Sequence, residues 1–576
     1  MSNKFYSIER NIQIVLSLMK AHGIKYVVAS PGSSDVAVLE SMQNDNYFKM
    51  FSCVDERSAA YMACGISAEV KEPVAIVCTG ATSSRNYMPG LTEAFYRHLP
   101  VLAITCSQSN AKIGHYVNQV TDRNCPPSDV VKTSVYCQAV NTPQDEWDVV
   151  IKANHAMLEL RRNGGGPTHI NLCMSYTYDF SAIDIKPVRL IQRYSQGDNL
   201  PDITACRIGV FVGNHLEWSD ELTSKIETFC EKYNAVVLFD HTSNYKGKYG
   251  VLFPLISDQF ESHAEQGLFD LVIHIGYVSS MTIKAKETWR VNPDGEIRDT
   301  FGVLTNVFQM SEDYFFSYYV DGYTEHKDSS FASELQERYT YLMDSIPDLP
   351  FSNLWVAQKL SRILPDNSVL HLGIRNSLRS WSYFEIPSTV RAYSNTGGFG
   401  IDGGVSSMIG ASFIHKDTIY YGVYGDLLFF YDINAIGNRD ISSNVRILLI
   451  NNGLGQEFKN YSCVNSYSLG DDANIFIAAE GHNGYKSSTL VKGMAESLGF
   501  DYLTASTKEE FEKVYKVFVS SQITKPMIFE VFTKSVDEDN ALKALTMLST
   551  KSKMLYKTSK VAPRELIKTI KKVVGK

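Results

Sequence analysis

Short apolar runs bounded by turn-forming residues recur along this chain and alternate with helical patterns. They occupy residues 73–78, 100–105, 168–172, 207–213, 235–240, 271–276, 418–424 and 445–450. Continuous apolar runs of this length are typical of parallel strands that helices cover on both faces. Three successive groups of such runs predict an α/β protein with three doubly wound parallel-sheet domains.

The 576 residues are enough for several domains, each with its own core. We place the domains at 1–188, 200–345 and 350–540, with a polar linker from Arg193 to Thr204. The remaining residues, 541–576, form an extension with nine lysines and one arginine against one glutamate. This extension is either a solvated tail or a segment that docks on an acidic partner or on the protein's own acidic body.

Composition argues against several classes of function. The net charge of −8 gives no general affinity for nucleic acid, and no apolar run is long enough to span a membrane. The first residues lack the apolar core of a signal peptide. The ten cysteines include no Cys-x-x-Cys pair, and no histidine cluster suggests zinc, so we expect reduced thiols in a cytoplasmic protein.

A split polar motif follows two of the predicted strands. Gly425-Asp426-Leu427 ends one apolar run, and Asn451-Asn452-Gly453 ends the next. A Gly-Asp pair after a strand is also a common turn with a capping aspartate. As a pair, however, the two halves bring a carboxylate and an amide oxygen to the ligand-binding edge of a sheet. Such ligands suit Mg²⁺, which often keeps phosphate oxygens as well, so we predict a magnesium and diphosphate site.

Further short segments elsewhere in the chain belong with this motif, because their order and spacing along the sequence form one pattern with it. They are Ser30-Pro-Gly-Ser-Ser, Val54-Asp-Glu-Arg-Ser-Ala-Ala, Asn118-Gln119, Asn376-Ser-Leu, Ser394-Asn and Gly400-Ile-Asp. Together they resemble the pyruvate-decarboxylase-like superfamily of thiamine-diphosphate enzymes. Within it they look most like the family of menaquinone-pathway 2-succinyl-5-enolpyruvyl-6-hydroxy-3-cyclohexene-1-carboxylate synthases, and Leu427 favours this branch.

The resemblance implies thiamine diphosphate and Mg²⁺ as cofactors. Asp426, Asn452 and the backbone carbonyl of Leu454 match the metal ligands, and Glu56 matches the glutamate that hydrogen-bonds the aminopyrimidine ring. Gln119 matches a glutamine beside the reacting carbon, with an ordinary surface amide as the alternative. The other cofactor-binding positions that it implies are Thr79, Asn376, Ser377, Leu378, Ile401, Gly425, Leu427 and Gly455.

The first domain corresponds to the pyrimidine-binding unit of the resembled enzymes and the third to the diphosphate-binding unit. In those enzymes the two units of different subunits face each other, so we expect a homodimer or homotetramer with active sites at the subunit interface. The small-residue stretch 403–411 suits such an interface. We expect a desolvated pocket to raise the pKa of Glu56. The alternative is that Glu56 pairs with Arg57.

The substrate-binding positions depart from the resembled synthases, which hold isochorismate and 2-oxoglutarate mainly with arginines. Four of those arginines align with Ser34, Gln108, Trp381 and Thr396. Losing bidentate contacts to carboxylates is costly. The side chains that could restore positive charge are Arg85, Arg375, Arg379, His115 and Lys284, of which His115 and Arg379 join the candidate substrate residues.

These observations favour a thiamine-diphosphate- and Mg²⁺-dependent enzyme that decarboxylates a 2-oxo acid and transfers the acyl carbanion to an acceptor. The four replaced positions lead us to expect a substrate different from that of the synthases. Alternatives are the synthase activity with a rebuilt clamp, and simple decarboxylation, which the absence of an adjacent His-His pair disfavours. A non-catalytic homologue would not need Glu56, Asp426 and Asn452.

Overall fold

The computed structural model describes residues 5–216, 218–259, 268–323, 330–463, 468–482, 487–522 and 524–549. The chain forms two compact units, one made of residues 1–199 and 295–309 and the other of residues 200–294 and 310–576. Parallel sheets organise both units. The boundaries proposed at 188, 200, 345, 350 and 540 stay a prediction, and the basic segment 550–576 lies outside the described residues.

The strands of the described residues alternate with helices along most of the chain. They are β1 (Tyr26–Ala29), β2 (Lys49–Ser52), β3 (Val74–Thr79), β4 (Val101–Ser107), β5 (Ser134–Cys137), β6 (Thr168–Cys173), β7 (Gln192–Ser195), β8 (Ile208–Val212), β9 (Ala235–Phe239), β10 (Gly250–Leu252), β11 (Phe269–Ile275), β12 (Ala285–Val291), β13 (Leu304–Gln309), β14 (Val369–Leu372), β15 (Arg391–Tyr393), β16 (Tyr420–Gly425), β17 (Val445–Asn451), β18 (Asp501–Ala505) and β19 (Met527–Phe532).

The helices supply the covering layers. They are α1 (Arg10–Ala21), α2 (Val36–Gln43), α3 (Glu56–Val70), α4 (Ser83–Asn86), α5 (Met88–Tyr96), α6 (Pro143–Glu159), α7 (Asp220–Tyr233), α8 (Pro254–Ser257), α9 (Glu312–Val320), α10 (Ser330–Asp344), α11 (Asn353–Leu360), α12 (Asn376–Ser382), α13 (Gly404–Ser412), α14 (Asp426–Tyr431), α15 (Ala473–Phe476), α16 (Leu490–Ser497), α17 (Lys508–Phe518) and α18 (Ser535–Thr546).

The first unit contains a six-stranded parallel sheet of order β2-β1-β3-β4-β6-β5. Its central strands β4 and β6 are buried at every residue, as their continuous apolar sequences predict. The strand order reverses between β1 and β3. Loops that follow the two strands at such a reversal form the usual ligand crevice of an open α/β sheet.

The second unit contains two parallel sheets. One has the order β10-β9-β8-β11-β12, and the other has the order β15-β14-β16-β17-β19-β18. In the latter the order reverses between β14 and β16, so the loops after these strands form its crevice. The predicted α/β fold with three parallel-sheet domains is confirmed.

Two local predictions differ from the structure. The predicted linker begins inside β7, whose side chains are half-buried or exposed and therefore lack a hydrophobic pattern. This strand pairs in parallel with β13 in the first unit. Helix α18 also runs across position 540. In the described part of the chain, no helix is long and apolar enough to cross a membrane.

Helices α3 and α5 approach closely through small residues. A Cβ atom added at Gly90 would lie 2.4 Å from the Cβ atom of Ala60 and 2.9 Å from its carbonyl carbon. Glycine at this helical position is therefore required by packing, although alanine is the better helix former by about 1 kcal/mol.

We expect Gly90→Ala to destabilise the protein, because overpacking costs about 1 to 3 kcal/mol and outweighs the gain in helix propensity. The midpoint of thermal unfolding should fall. Gly493→Ala is the matched control, since Gly493 is an exposed residue of α16 and an added Cβ would meet nothing within 4 Å. That variant should be neutral or slightly stabilised. Equal midpoints for the two variants would contradict the packing argument.

Candidate active site

The structure brings the two halves of the split motif together at the carboxyl edge of the third sheet. Strands β16 and β17 pair in parallel, with Gly425 opposite Ile450. The Asp426 carboxylate accepts hydrogen bonds from the backbone N–H groups of Asn452 (3.0 Å) and Gly453 (2.6 Å). Gly453 has a φ of 80°, which glycine adopts without strain, so the loop can turn its amides toward the carboxylate.

Asp426 is the first residue of α14 and is almost fully buried. Burial raises its pKa to about 6, although the surrounding backbone N–H groups lower it. Within the described residues this carboxylate forms no ion pair with a basic side chain. A buried carboxylate without a basic partner is well suited to bind a cation.

The oxygen donors at this edge suit Mg²⁺. They are the Asp426 carboxylate, the Asn452 side-chain oxygen and the Leu454 carbonyl, and hard cations prefer such ligands. The Asn452 Oδ1 atom accepts only a long 3.3 Å bond from the Leu454 N–H group. Among the described residues there is no group of three or more His, Cys, Asp or Glu side chains that could hold a metal. The donors therefore fit magnesium better than zinc.

A small cleft opens beside this motif, where the loops after β14 and β15 meet α13 and α14. Its lining residues are His371, Leu372, Gly373, Ile374, Ser394, Asn395, Gly400, Gly404 and Leu428. Two of its buried polar atoms, the His371 Nε2 and the Ser394 Oγ, have no hydrogen-bond partner among the residues that the structure describes. Burial lowers the pKa of His371 to about 4, so its ring is neutral at physiological pH. Buried polar atoms without partners point to a polar ligand here.

The other diphosphate-side positions lie around the same edge. Asn376, Ser377 and Leu378 begin α12, where the Leu378 N–H group donates to the Gly373 carbonyl at 2.9 Å. Ile401 is half-buried against the apolar core of this sheet.

Gly455 is tightly enclosed beside the motif. Its N–H group donates to the Ala478 carbonyl at 2.6 Å. A Cβ atom at Gly455 would lie 3.1 Å from the Leu427 Cδ1 atom, which leaves little room for a side chain.

Two buried carboxyl groups behind the motif were not predicted from the sequence. Glu530 on β19 accepts a 2.7 Å hydrogen bond from the Asn451 amide and thereby turns that side chain into the interior. Glu538 is buried and accepts hydrogen bonds from the Asn353 N–H group (2.9 Å) and the Thr533 hydroxyl (2.7 Å). Burial raises the pKa of Glu538 to about 7. Neither residue has a local sequence signal, because its burial depends on tertiary packing.

The raised pKa of Glu538 predicts a pH-dependent stability. The folded state keeps a proton that the unfolded chain loses near the ordinary value of 4.5. The stabilising contribution is therefore complete below pH 4.5 and is lost as the pH rises through about 7. In the wild type this lowers the free energy of unfolding by on the order of 3 kcal/mol over this pH range, and we expect Glu538→Gln to remove that decline.

Thermal midpoints of the cofactor-free protein at pH 5 and pH 8 test this prediction. The thermal midpoint of Glu538→Gln, relative to that of the wild type, should be higher at pH 8 than at pH 5. Exposed Glu496→Gln on α16 is the control and should leave the pH dependence unchanged. A Glu538→Gln variant that keeps the wild-type pH dependence would contradict the assignment.

Glu56 begins α3 at the carboxyl edge of the first sheet. Asp55 caps this helix by accepting the Arg57 N–H group at 3.0 Å. The Asn86 amide donates to Glu56 Oε2 (2.9 Å) and to Asp55 Oδ1 (3.0 Å). Arg57 pairs with Asp55 at 3.3 Å, so the alternative of a Glu56–Arg57 pair is wrong. Asn86 is a site residue that the sequence did not reveal.

The predicted rise in the pKa of Glu56 is wrong for the isolated chain. Partial burial raises the pKa, but hydrogen bonds from Asn86 and Ser83 outweigh it and leave the value lowered. The carboxylate is only half-buried, so desolvation is weak. The expectation assumed an enclosed pocket, and a single chain does not provide one.

The loops after β1 and β3 meet at the strand-order reversal of the first sheet. A Cβ atom on Gly32 would lie 2.2 Å from the Thr79 Cγ2 atom, so the loop 30–34 packs directly on the end of β3. Gln119 is exposed, has a φ of 61°, and places its carbonyl close to Gly80. The Gln119 backbone thus lies close to Gly80, the residue that follows Thr79.

Two positions that align with family arginines lie in this unit. The Ser34 hydroxyl donates to the Cys106 carbonyl at 2.7 Å, and Gln108 accepts the Lys112 ammonium at 2.6 Å. Both side chains also lie at the hydroxyl of Tyr176. Burial raises the pKa of Tyr176, and this effect outweighs the hydrogen bonds with Gln108 and Ser34, which lower the pKa. Tyr176 has a φ of 56° and is a second site residue without a sequence signal.

The two other aligned positions, Trp381 and Thr396, are buried in the second unit. The Trp381 carbonyl faces the ring of His241 at 3.1 Å, so this residue joins the middle sheet to the third. Arg379, two residues earlier, forms a bidentate pair with Glu457 through bonds of 2.9 and 2.7 Å. The charge of Arg379 is therefore already balanced by a carboxylate.

The remaining candidate cations lie elsewhere. His115 is exposed in the loop after β4. The Arg85 guanidinium donates to the Asp122 carbonyl at 2.7 Å. Lys284 is exposed just before β12.

Two crevices with these donors define a thiamine-diphosphate-dependent enzyme, and the comparisons with known proteins agree. Residues 11–125 match the family model described as the N-terminal thiamine pyrophosphate-binding domain of thiamine pyrophosphate enzymes. The 2-succinyl-5-enolpyruvyl-6-hydroxy-3-cyclohexene-1-carboxylate synthase of Phocaeicola vulgatus is 30% identical over 572 residues, covering 93% of this chain and 98% of that protein.

The synthases of Bacteroides fragilis and Christiangramia forsetii are 29% and 28% identical over 577 and 585 residues. These alignments cover 93% and 92% of this chain and 98% and 96% of the respective relatives. The chain belongs to the thiamine-diphosphate enzyme family that includes these 2-succinyl-5-enolpyruvyl-6-hydroxy-3-cyclohexene-1-carboxylate synthases.

The prediction of a substrate different from that of the synthases is wrong, because relatives matched over nearly their whole length carry the synthase name. It depended on single aligned positions. The charge of a site also depends on neighbouring residues, and Arg375 and Arg379 lie on the same segment of the chain as Trp381.

Proposed function

We propose that this protein is a 2-succinyl-5-enolpyruvyl-6-hydroxy-3-cyclohexene-1-carboxylate synthase. It decarboxylates 2-oxoglutarate and transfers the resulting four-carbon acyl unit to isochorismate. The observation that carries the proposal is the Asp426 carboxylate, buried without a basic partner and hydrogen-bonded to both amides of the second half-motif. The full-length match to proteins of that name supports the choice of substrates.

Asp426, Asn452 and the Leu454 carbonyl would hold Mg²⁺, and the cleft beside them would take part of thiamine diphosphate. When bound, the cofactor supplies a nucleophilic carbon and an electron sink for decarboxylation. The metal donors of the second unit would hold the diphosphate end of the cofactor, and Glu56 of the first unit would hold the pyrimidine end.

Glu56 would hold a proton at a ring nitrogen of the cofactor's pyrimidine. Asn86 positions the carboxyl group, because its amide already donates to Glu56 at 2.9 Å. Gln119 and Tyr176 would border the reacting carbon from the loops of the same sheet. A general acid or base placed in this way contributes about 10² to 10⁴ in rate.

A homodimer is the proposed minimal assembly, and a tetramer is compatible with it. Large apolar side chains close to Glu56 in the sequence are exposed on the first unit: Val54 is 81%, Tyr61 47% and Met62 51% exposed. Apolar surface next to a catalytic carboxylate suits a subunit interface. Covering it would exclude water from Glu56 and raise its pKa toward the value that proton exchange needs.

Release of CO₂ from a panel of 2-oxo acids tests the donor. The enzyme loaded with Mg²⁺ and thiamine diphosphate is mixed with 2-oxoglutarate, pyruvate or 2-oxobutyrate, with and without isochorismate. We expect turnover of 2-oxoglutarate, accelerated by isochorismate. Preference for pyruvate would contradict the proposed donor, and turnover indifferent to isochorismate would favour simple decarboxylation.

A further inference from the structure

Arg375 has a strained backbone at the carboxyl end of β14. It immediately precedes α12 and has a φ of 63° and a ψ of −112°. This conformation is costly for every residue with a side chain and is normally taken by glycine. Strain of this kind persists where the surrounding structure holds it and is concentrated at binding sites. An arginine at this position indicates a use for its side chain.

The guanidinium group of Arg375 lies over the ring of Phe399, 5.2 Å from its centre. Phe399 also has a left-handed backbone, with a φ of 53°. Arg375 is solvent-exposed, and within the described residues its guanidinium makes no ion pair and no hydrogen bond. Stacking fixes the plane of the group and leaves its N–H edges for a planar anion.

Both residues flank the cleft described above. Ile374 and Gly400, their chain neighbours, line it, so the Arg375–Phe399 pair lies at its rim. Strand β14 neighbours β16, which ends at Gly425 just before Asp426. The guanidinium therefore lies on the same sheet edge as the predicted metal ligands.

Arg379 differs from Arg375 although it is one turn away. Glu457 holds it through two hydrogen bonds of 2.9 and 2.7 Å, which neutralise its charge. A substrate carboxylate would have to displace Glu457 to reach it. Of the two arginines on this segment, Arg375 is the one that can accept an anion without breaking an ion pair.

We propose that Arg375, stacked on Phe399, binds the distal carboxylate of the dicarboxylic 2-oxo acid substrate. The identity of that acid rests on the proposed function, but the carboxylate site does not. The pair replaces the positive charge that is missing at positions 381 and 396. It makes this edge of the cleft selective for a doubly charged substrate over a monocarboxylate.

Succinate binding to the enzyme loaded with Mg²⁺ and thiamine diphosphate tests the proposal by calorimetry, since succinate has two carboxylates and no reactive keto group. We expect Arg375→Gly to weaken succinate binding at least tenfold and to raise KM for 2-oxoglutarate more than it lowers kcat. The midpoint of thermal unfolding should not fall, because glycine relieves the strain. A lower midpoint with unchanged succinate affinity would show a structural role only and overturn the proposal.

Arg375→Lys keeps a charge but not the planar fork, and should bind succinate with intermediate affinity. Wild-type affinity in both variants overturns the proposal, as does failure of the wild-type enzyme to bind succinate. Exposed Arg439→Gln, near the amino end of β17, is the control for a lost positive charge and should change nothing. If the wild type binds succinate through Arg375 but does not turn over 2-oxoglutarate, the proposed function fails and the carboxylate site stands.

Discussion

Replacing Asp426 with asparagine is expected to abolish Mg²⁺-dependent turnover, with a loss of about 10³-fold or more. The substitution keeps the shape of the side chain but removes the negative charge that attracts the metal. One oxygen of the Asp426 carboxylate accepts the N–H group of Leu427, and the other accepts those of Asn452 and Gly453. An amide has only one acceptor oxygen, so asparagine cannot accept on both sides. Cofactor binding should therefore fail together with catalysis.

Thermal unfolding separates this effect from loss of fold. Cofactor binding to the folded state raises the wild-type midpoint, and Asp426→Asn should lose that rise. The cofactor-free variant should still unfold cooperatively, with a midpoint somewhat below the wild type: the lost N–H acceptor is offset in part because a buried carboxylate whose pKa is raised to about 6 is itself a cost to the fold. Asp432→Asn is the control: it perturbs a buried aspartate bonded to Ser406, so its midpoint should fall while the cofactor response remains. A cofactor-induced rise retained by Asp426→Asn would contradict the assignment.

Glu56→Gln is expected to lower turnover by about 10² to 10⁴ while leaving the fold intact. The glutamine can still accept the Asn86 amide hydrogen, so the local structure is preserved. It cannot exchange a proton with the cofactor. Binding of thiamine diphosphate should weaken much less than turnover, because the metal donors lie in the other unit.

Asp55→Asn is the matched control for Glu56→Gln. Asp55 shares the Asn86 amide and caps α3, and asparagine caps a helix about as well as aspartate. Its turnover should stay within a fewfold of the wild type. Turnover unaffected by Glu56→Gln would instead favour a non-catalytic homologue that only binds ligands.

The sequence was sufficient for the parts of the fold that depend on local patterns. The apolar runs at 73–78 and 445–450 became β3 and β17 within a residue at each end, because central parallel strands are apolar throughout. The Gly-Asp and Asn-Asn segments follow neighbouring strands, as the edge argument predicted. Strand β7 was missed, since a partly exposed polar strand has no such pattern.

The site was predictable only where a residue type and its spacing carry chemistry. Asn86 and Tyr176 contact Glu56 and Ser34 through tertiary packing, and nothing in their local sequence indicates this. The strain at Arg375 is likewise invisible in the sequence, since arginine is not expected at a φ of 63°. The substrate prediction was wrong because it considered only the aligned positions. A related protein can carry an arginine at a neighbouring position that serves the same site.

Product analysis with both proposed substrates tests the central claim most directly. The enzyme with Mg²⁺ and thiamine diphosphate is incubated with 2-oxoglutarate and isochorismate, and CO₂ and the organic product are measured together, the latter by mass spectrometry. We predict one CO₂ released for each molecule of 2-succinyl-5-enolpyruvyl-6-hydroxy-3-cyclohexene-1-carboxylate formed. Release of CO₂ without the coupled product, or no reaction of 2-oxoglutarate in the cofactor-bound enzyme, would contradict the synthase assignment.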